Sequence, residues 1–558
     1  MKYLNKISKI AIAFALVFVF GACSMFDLDV NKNPNAPSSA APNLLLTSIQ
    51  VSVFSNFAGN EGDLEAFVGM VGTQALSRWD LFNTSYDGLW NSMYNGPLKD
   101  LDALIDASQT SPTYLGIAQT MKAYSYATMV DLYGDIPFTE AGKADAATAI
   151  KQPKFDKDAD IYTACLKLFD DAIANLAKSS PVTVSGDLIY NGDKAKWGRL
   201  AKSLKLKFLI TGRKGISGAD AQINALIASG GLISGTGDDF RFVFSKDPTS
   251  VRHPWYTGAY TGGGGEFDYT YINNQFYMEM LLDLDPRSKF YFYRQTRNKL
   301  NLNDATARNT APCNGLSCKW GYIPTTKWYD SLRIIGYDSL SINGLFGRDR
   351  GDGTGIPADG SLRLLPGVYP CGGFYDSPTF NASGAALPGT NVAAGGGIFP
   401  ALTEVNILYY QIESILSFGG TGNAKTIFED AIRKHVSRVS SFGASADAKS
   451  VAPTTASIDA YVAKWMARYD AAPDNNAKLN VVMKQLWFSS WGNGFEIYNA
   501  YRRTGFPNTI DELNSPSPKG ATSYVYRLPY SQTELNLNGN AAAYKSVQYW
   551  VTKIFWNK

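Results

Sequence analysis

The chain has 558 residues, enough for one very large domain or for several ordinary ones with a substantial buried core. Its formal net charge is only +3. Three of its lysines, Lys2, Lys6 and Lys9, lie in a segment that we expect to be removed, which leaves a formal net charge of zero. The excess of basic residues typical of a nucleic-acid-binding protein is therefore absent. Aromatic residues make up 13% of the chain, and we expect some of these rings on the surface, where flat ligands can stack.

The N-terminal segment has the pattern of an export signal. An apolar run over residues 10–20 follows a basic start and is too short to span a bilayer, which needs about twenty residues. Gly21 and Ala22 then lead directly to Cys23, as in the bacterial lipobox, where the cysteine is acylated. The alternative is an ordinary signal cut near Ala22. We predict a signal peptide over residues 1–22 and lipidation of Cys23.

Helical patterns dominate the chain after a polar, Pro- and Asn-rich tether over residues 23–42. The first predicted helices cover residues 44–57, 64–76, 88–105, 114–133, 161–176 and, after a turn at Asn191-Gly192, a stretch ending at 210. Further helices are predicted over residues 402–416, 424–439, 458–469 and 479–499. Helix after helix joined by short turns indicates a stacked array of helical hairpins.

The region between these two helical parts, residues 230–400, has a different texture. Glycine clusters over residues 262–267 and 384–397 interrupt short aromatic runs, and helical periodicity survives only in patches such as 271–282. We predict one mainly α domain over residues 43–558. Its helical scaffold, 43–229 and 401–558, surrounds a loop-rich insertion, and loops on a rigid scaffold often carry binding sites.

The helix predicted over residues 114–133 ends in a sharp change of character. Gly134 breaks the helical period, and Pro137 forces the preceding residue into an extended conformation. Asp135 and Glu140 lie in the loop that follows. Two carboxylates in such a loop can be a general acid and base, or they can serve only as turn acceptors.

Two later helices carry charged residues whose placement we predict. In the helix that ends at residue 210, four lysines are expected on a solvated face opposite an apolar stripe: Lys196, Lys202, Lys205 and Lys207. Near the C-terminus, Gly492 and Gly494 are expected to allow close helix approach. Glu496 is expected to pair with Arg502 or Arg503 as part of the scaffold.

Several short motifs resemble nucleotide-binding or metal-binding sequences, but each departs from the pattern that such a site requires. Residues 419–426, GGTGNAKT, lack the second glycine of a phosphate loop and follow a helix, so a helix-to-helix turn is predicted. Asp349 and Asp352 offer oxygen ligands for calcium, but Gly351 stands where an EF-hand loop needs a ligand. The chain has only two histidines, and no spacing supplies a zinc site. We therefore predict no metal site and no cofactor, with calcium near Asp349 and Asp352 as the alternative.

The remaining cysteines leave the disulfide pattern open. Cys313 and Cys318 are close in sequence and can pair, with Cys371 as a competing partner. Cys165 lies in a helical pattern and is expected to be a buried free thiol. An exported protein permits such a disulfide.

Aromatic residues near turns are the most distinctive candidates for ligand binding. Indole and phenol faces with Arg and Asn neighbours can stack on a sugar ring and bond its hydroxyl groups, although each ring can also be a packing residue. The predicted ligand-binding residues are Arg78, Trp79, Trp90, Asn91, Trp255, Tyr256 and Trp320.

Several stretches together resemble the SusD/RagB family of nutrient-binding outer-membrane lipoproteins of Bacteroidota. They occur in the order typical of the family and cover nearly the whole chain. Besides the lipobox they are VNKNPNAP (30–37), DLYGDIPFTEA (131–141), DLIYNGDKAKWGRLAKSLKLK (187–207), GRDRGDGTGIPAD (347–359), FPALTEVNILYYQIESI (399–415) and WGNGFEIYNAYRRTGFP (491–507).

This resemblance implies a fold and a function. The implied fold is a tetratricopeptide-like helical scaffold with an irregular region packed against it. The implied role is that of a non-enzymatic binding protein. It would capture an oligosaccharide or a peptide and deliver it to a SusC-like TonB-dependent β-barrel transporter. Alternatives from other classes are a surface glycoside hydrolase using Asp135 and Glu140, and a helical-repeat adaptor that binds only the transporter.

Overall fold

Helices make up most of the structure. It is a computed structural model that describes residues 40–73, 81–144, 149–261, 270–294, 347, 350, 364–376, 393–448, 450–510 and 524–557. Before residue 230, the described helices are α1 (Pro42–Ala58), α2 (Glu61–Phe67), α3 (Asp87–Asn95), α4 (Pro97–Ala107), α5 (Pro112–Tyr133), α6 (Asp158–Ala177), α7 (Lys194–Gly212) and α8 (Ala219–Ala228). Each of α5, α6 and α7 packs against the next helix in sequence, which is the predicted stack of hairpins.

Helix α5 shows how local sequence sets the ends of an element. It begins with Pro112 at its first position, where the missing N–H would have no helical partner in any case. It ends directly before Gly134, whose φ of +77° is accessible to glycine without strain. Almost every side chain between these ends is buried. Helix α5 is therefore surrounded by other elements and presents no solvated stripe.

The middle of the chain contains short helices and short antiparallel strand pairs. The helices are α9 (Pro254–Thr261), α10 (Asn274–Leu282) and α11 (Ser288–Tyr291). The strands are β1 (Val71–Thr73), β2 (Phe240–Val243), β3 (Thr270–Ile272), β4 (Phe292–Arg294), β5 (Leu364–Pro366) and β6 (Ile398–Leu402). Strand β1 pairs with β3, β2 with β6, and β4 with β5. The pairing of β2 with β6 joins the two ends of the predicted insertion.

A second helical part follows β6. Its described helices are α12 (Glu404–Ser417), α13 (Ala424–Ala446), α14 (Thr455–Ala471), α15 (Asn475–Ser489), α16 (Gly494–Thr504) and α17 (Gln532–Leu537). Helices α12 to α15 again pack each on the next, and α12 also packs against α7 and α8. The phosphate-loop-like string is the turn between α12 and α13, as predicted, and the Asn423 side chain caps α13 by accepting from Thr426 N.

Three predicted helices have different limits in the structure. The helix predicted over residues 64–76 ends at Phe67, and the chain then pairs as β1 with β3. The helix predicted over 88–105 is divided between α3 and α4, because Pro97 starts a new helix after Gly96. The helix predicted over 479–499 is divided between α15 and α16, where Gly492 has a φ of +86°.

Buried charges connect the two helical parts, which corrects one prediction. Lys207 of α7 was expected on a solvated face but is buried, with its Nζ 2.5 Å from Glu496 Oε2 on α16. Arg503 of α16 pairs mainly with Glu413 of α12 at 2.9 Å and lies 3.8 Å from Glu496. The ion pair predicted for Glu496 therefore forms principally with Lys207.

The described cysteines are free thiols. Cys165 on α6 is buried, as predicted. Cys371 is also buried and free, and its Sγ lies 3.1 Å from the Gly367 carbonyl oxygen, so it does not take the competing role in a disulfide. Cys313 and Cys318 lie outside the described residues.

Candidate functional site

The two loop carboxylates after α5 serve as structural acceptors. Asp135 accepts hydrogen bonds from the backbone N–H of Asp158 at 2.9 Å and from Lys157 Nζ at 2.7 Å. The Tyr544 hydroxyl donates to the same carboxylate at 3.0 Å. Glu140 accepts from the backbone N–H of Lys154 at 2.8 Å. These bonds tie the loop to the start of α6, which supports the turn interpretation of both carboxylates.

Two of the predicted ligand-binding tryptophans lie in the core. Trp90 is 2% exposed, and its ring packs edge-on against Tyr133 with centroids 5.0 Å apart. Trp255 is fully buried and packs against Trp491 at 4.9 Å. A ligand cannot stack on a ring whose faces are covered. The prediction that these two side chains bind a ligand does not fit their burial, and they act as packing residues.

The other predicted site residues have different surroundings. Tyr256 is also mostly buried and stacks on Tyr260 with ring centroids 5.0 Å apart. Asn91 is half-buried on α3. The remaining predicted ligand-binding residues, Arg78, Trp79 and Trp320, lie outside the described part of the chain. The calcium candidates Asp349 and Asp352 also lie outside it.

The described strands bring together the parts of the chain that flank those undescribed candidates. Arg78 and Trp79 follow β1 in sequence, and Trp320 lies between β4 and β5. Strand β1 pairs with β3, β4 pairs with β5, and β3 also packs against β5. The framework therefore places the flanks of both segments in one part of the fold.

Among the described residues, a cavity of about 290 Å³ between α10, α14 and α15 is lined by residues suited to a small polar ligand. We call it the Trp465 cavity. Trp465 is 2% exposed, and its Nε1–H has no acceptor among the residues that the structure describes. Leu282 and Val481 add apolar wall, and Asn480 adds an amide. Small-molecule sites commonly combine an apolar wall with a few fixed polar groups.

Two ion pairs hold the charged groups of this cavity in place. Arg468 donates to both carboxylate oxygens of Asp283, at 2.5 and 2.6 Å. This hydrogen bonding raises the pKa of Arg468 above its usual value, so its charge is retained. Lys484 pairs with Glu279 at 2.6 Å, and its Nζ lies 4.0 Å from the Trp487 ring centroid. The cavity thus presents oriented donors and acceptors of the kind that bind hydroxyl groups.

The sequence contains a local signal for this cavity. Trp465 and Arg468 are three residues apart on the predicted helix over 458–469, a spacing that places them on the same face. The Arg468 guanidinium lies 4.5 Å from the Trp465 ring centroid. The partner Asp283 directly follows α10, far away in sequence, so only the tertiary structure assembles the group.

Two models of known protein families match this chain. A family model described as "Starch-binding associating with outer membrane" matches residues 34–317, half of the chain. A second model, described as "Susd and RagB outer membrane lipoprotein", matches residues 403–557. The chain belongs to the SusD/RagB family. The described helices of both helical parts fall within these matches. No curated protein matches the chain.

Solved structures of SusD/RagB proteins share this fold. A chitin-binding protein is 20% identical with a TM-score of 0.67, and the match covers 93% of this chain and 100% of that one. A SusD/RagB family protein from Bacteroides thetaiotaomicron is 18% identical with a TM-score of 0.67, covering 93% and 99%. A chitin-binding SusD homolog from Flavobacterium johnsoniae is 16% identical with a TM-score of 0.63, covering 93% and 97%.

These comparisons confirm the predicted family and its mainly α, tetratricopeptide-like fold. At such identities the structural likeness concerns the fold and leaves the ligand open. The family is described as one of outer-membrane lipoproteins. Among the described helices of this SusD/RagB protein, none is long and apolar enough to cross a membrane.

Proposed function

We propose that this SusD/RagB protein captures an oligosaccharide, or a peptide, at the cell surface and delivers it to a SusC-like TonB-dependent transporter. The observation that carries the proposal is the match of both family models, in order, over residues 34–317 and 403–557. The chitin-binding proteins with the same fold support a sugar as the ligand. Lipid on Cys23, after removal of residues 1–22, supplies the membrane anchor.

Ligand contact is proposed at two places. The first comprises Arg78, Trp79 and Trp320, with Asn91 as a neighbouring amide, because these residue types suit stacking on and hydrogen bonding to a sugar. The second is the Trp465 cavity, where an apolar wall and fixed ion pairs suit a hydroxyl-rich ring. Trp90, Trp255 and Tyr256 stabilise the core and are not proposed as contacts.

Calorimetric titration of the purified protein with chito- and malto-oligosaccharides tests this proposal. We expect Trp79→Ala and Trp320→Ala to weaken binding about tenfold, the effect of losing roughly 1.4 kcal/mol of ring contact. Arg468→Gln tests the cavity, and Arg433→Gln, which changes an exposed ion pair elsewhere, is its matched control. Unchanged binding in all the site variants would place the sugar elsewhere on the protein.

Product analysis of the same glycans separates the competing functions. We expect no shortened products when the glycans are analysed by mass spectrometry after incubation, because Asp135 and Glu140 are engaged as turn acceptors. Shortened products would favour a glycoside hydrolase. If no glycan or peptide binds and only the transporter co-purifies, the adaptor function replaces the one proposed.

A further inference from the structure

A second cavity lies between the ends of α7, α12 and α16 and the first turn of α15. Its volume is about 390 Å³, within the range of small-molecule sites. It shares α15 with the Trp465 cavity but none of its lining residues. Its charged lining consists of Arg213, Lys214, Glu413 and Arg503, with Asn475 and Thr504 as neutral polar groups. We call it the Lys214 cavity.

Positive charge is in excess in this cavity. The carboxylate of Glu413 is occupied by Arg503, whose Nε lies 3.1 Å from each of its oxygens and whose Nη2 lies 2.9 Å from one of them. Lys214 Nζ donates to the backbone oxygen of Arg503 at 2.7 Å, a neutral acceptor. Arg213 pairs with the half-exposed Asp220 at 3.3 Å, and its guanidinium lies 4.6 Å from the Phe418 ring centroid. Among the described residues, neither Lys214 nor Arg213 forms an ion pair with a buried carboxylate.

A buried donor in the same lining also lacks an acceptor. Arg503 is 5% exposed, and its Nη1 has no hydrogen-bond partner among the described residues. Leaving such a charged donor unsatisfied is unfavourable. Burial lowers the pKa of Lys214 below its usual value, and the charge of Arg213 lowers it further, against an opposing effect of Glu413. The cavity thus combines one unsatisfied guanidinium nitrogen, Arg503 Nη1, with the positive charges of Lys214 and Arg213.

We propose that the Lys214 cavity binds the carboxylate of a small acidic sugar. A guanidinium fork and an ammonium group are the side chains that bind carboxylates most strongly, through charge-assisted hydrogen bonds. The amide of Asn475, in the same lining, suits the hydroxyl groups of the ring. This site is separate from the contacts proposed above for oligosaccharide capture and does not depend on them.

Titration with D-galacturonate, and with D-galactose as the same ring without a charge, tests this proposal. We expect galacturonate to bind and galactose not to bind. Lys214→Gln should weaken galacturonate binding about tenfold, as expected for the loss of one charge-assisted contact. Lys214→Arg should retain most of it. The matched control is Lys425→Gln, which changes an exposed lysine on α13 and should have no effect.

NMR titration of the Lys214 ammonium gives a second readout that a merely structural role would not change. Binding of a carboxylate should raise the pKa of Lys214, whereas galactose should leave it unchanged. Equal binding of the two sugars, or galacturonate binding that Lys214→Gln leaves unaltered, would overturn the proposal. Tighter binding of inorganic phosphate than of galacturonate would overturn the choice of a carboxylate. Neutral oligosaccharide binding should be the same in Lys214→Gln, which separates this site from the one proposed for capture.

Discussion

Lys207 and Glu496 form an ion pair inside the protein, with side chains that are 5% and 1% exposed. Burial alone would raise the pKa of Glu496, but Lys207 and Arg503 lower it below its usual value. The Tyr410 hydroxyl also donates to this carboxylate, at 2.6 Å. Each charge is tolerated because its partners are present, so the loss of Lys207 leaves Glu496 with only the more distant Arg503 and the Tyr410 hydroxyl.

Lys207→Met is therefore expected to lower the free energy of unfolding by about 3–5 kcal/mol, since Glu496 would be left as a poorly compensated buried charge. Urea unfolding measures the change. The control, Lys167→Met, removes an exposed i,i+4 pair with Asp171 and should cost less than about 0.5 kcal/mol.

A double variant, Lys207→Met with Glu496→Gln, should recover part of the lost stability because no buried charge is left unpaired. Similar losses in Lys207→Met and Lys167→Met would contradict the buried pairing.

At the scale of one element, Asp187 organises the turn that precedes α7. Its carboxylate accepts from the backbone N–H groups of Ile189, Tyr190 and Gly192. It also accepts from the indole N–H of Trp197 and from the side-chain amide of Gln50, each at 2.8 Å. A single buried carboxylate therefore connects the turn, the first residues of α7 and the neighbouring helix α1.

Asp187→Asn is expected to destabilise the protein by at least about 3 kcal/mol, because an amide group replaces an acceptor that faces several buried donors. Thermal and urea unfolding measure this change. Asp193→Asn is the matched control in the same segment. Asp193 caps α7 from an exposed position, and asparagine caps a helix about as well as aspartate. Equal destabilisation in the two variants would show that Asp187 has no special role.

At the scale of the whole molecule, association with the outer membrane is proposed to depend on lipid attached to Cys23. No helix in the described part of the chain can span a bilayer. One acyl chain gives only marginal binding, so lipoprotein anchoring needs more than one chain.

Cys23→Ala is accordingly expected to move the protein from the membrane fraction to the soluble fraction, as measured by cell fractionation with labelled fatty acid. Cys165→Ala, which changes a buried thiol on α6, should remain in the membrane fraction. A Cys23→Ala variant that stays with the membrane would rule out this anchor.

The sequence by itself determined the helical elements and the family. Apolar residues at helical spacing predict α1, α5, α6, α12 and α14 closely, because that signal is local and repeats along each element. Breaks at Gly96 and Gly492 were missed, since single residues divide patterns that are otherwise continuous. The motif over residues 131–141 indicates the family even though the contacts of its side chains cannot be read from the sequence.

Only the tertiary structure decided which side chains are exposed and which groups meet. Trp90 and Trp255 carry the same sequence pattern as surface aromatics, and their burial depends on rings such as Tyr133 and Trp491 from other elements. Lys207 looked solvated on its own helix because its partner Glu496 is 289 residues away. Helical periodicity fixes the face on which a residue lies, but the elements packed on that face determine whether it supports the fold or contacts a ligand.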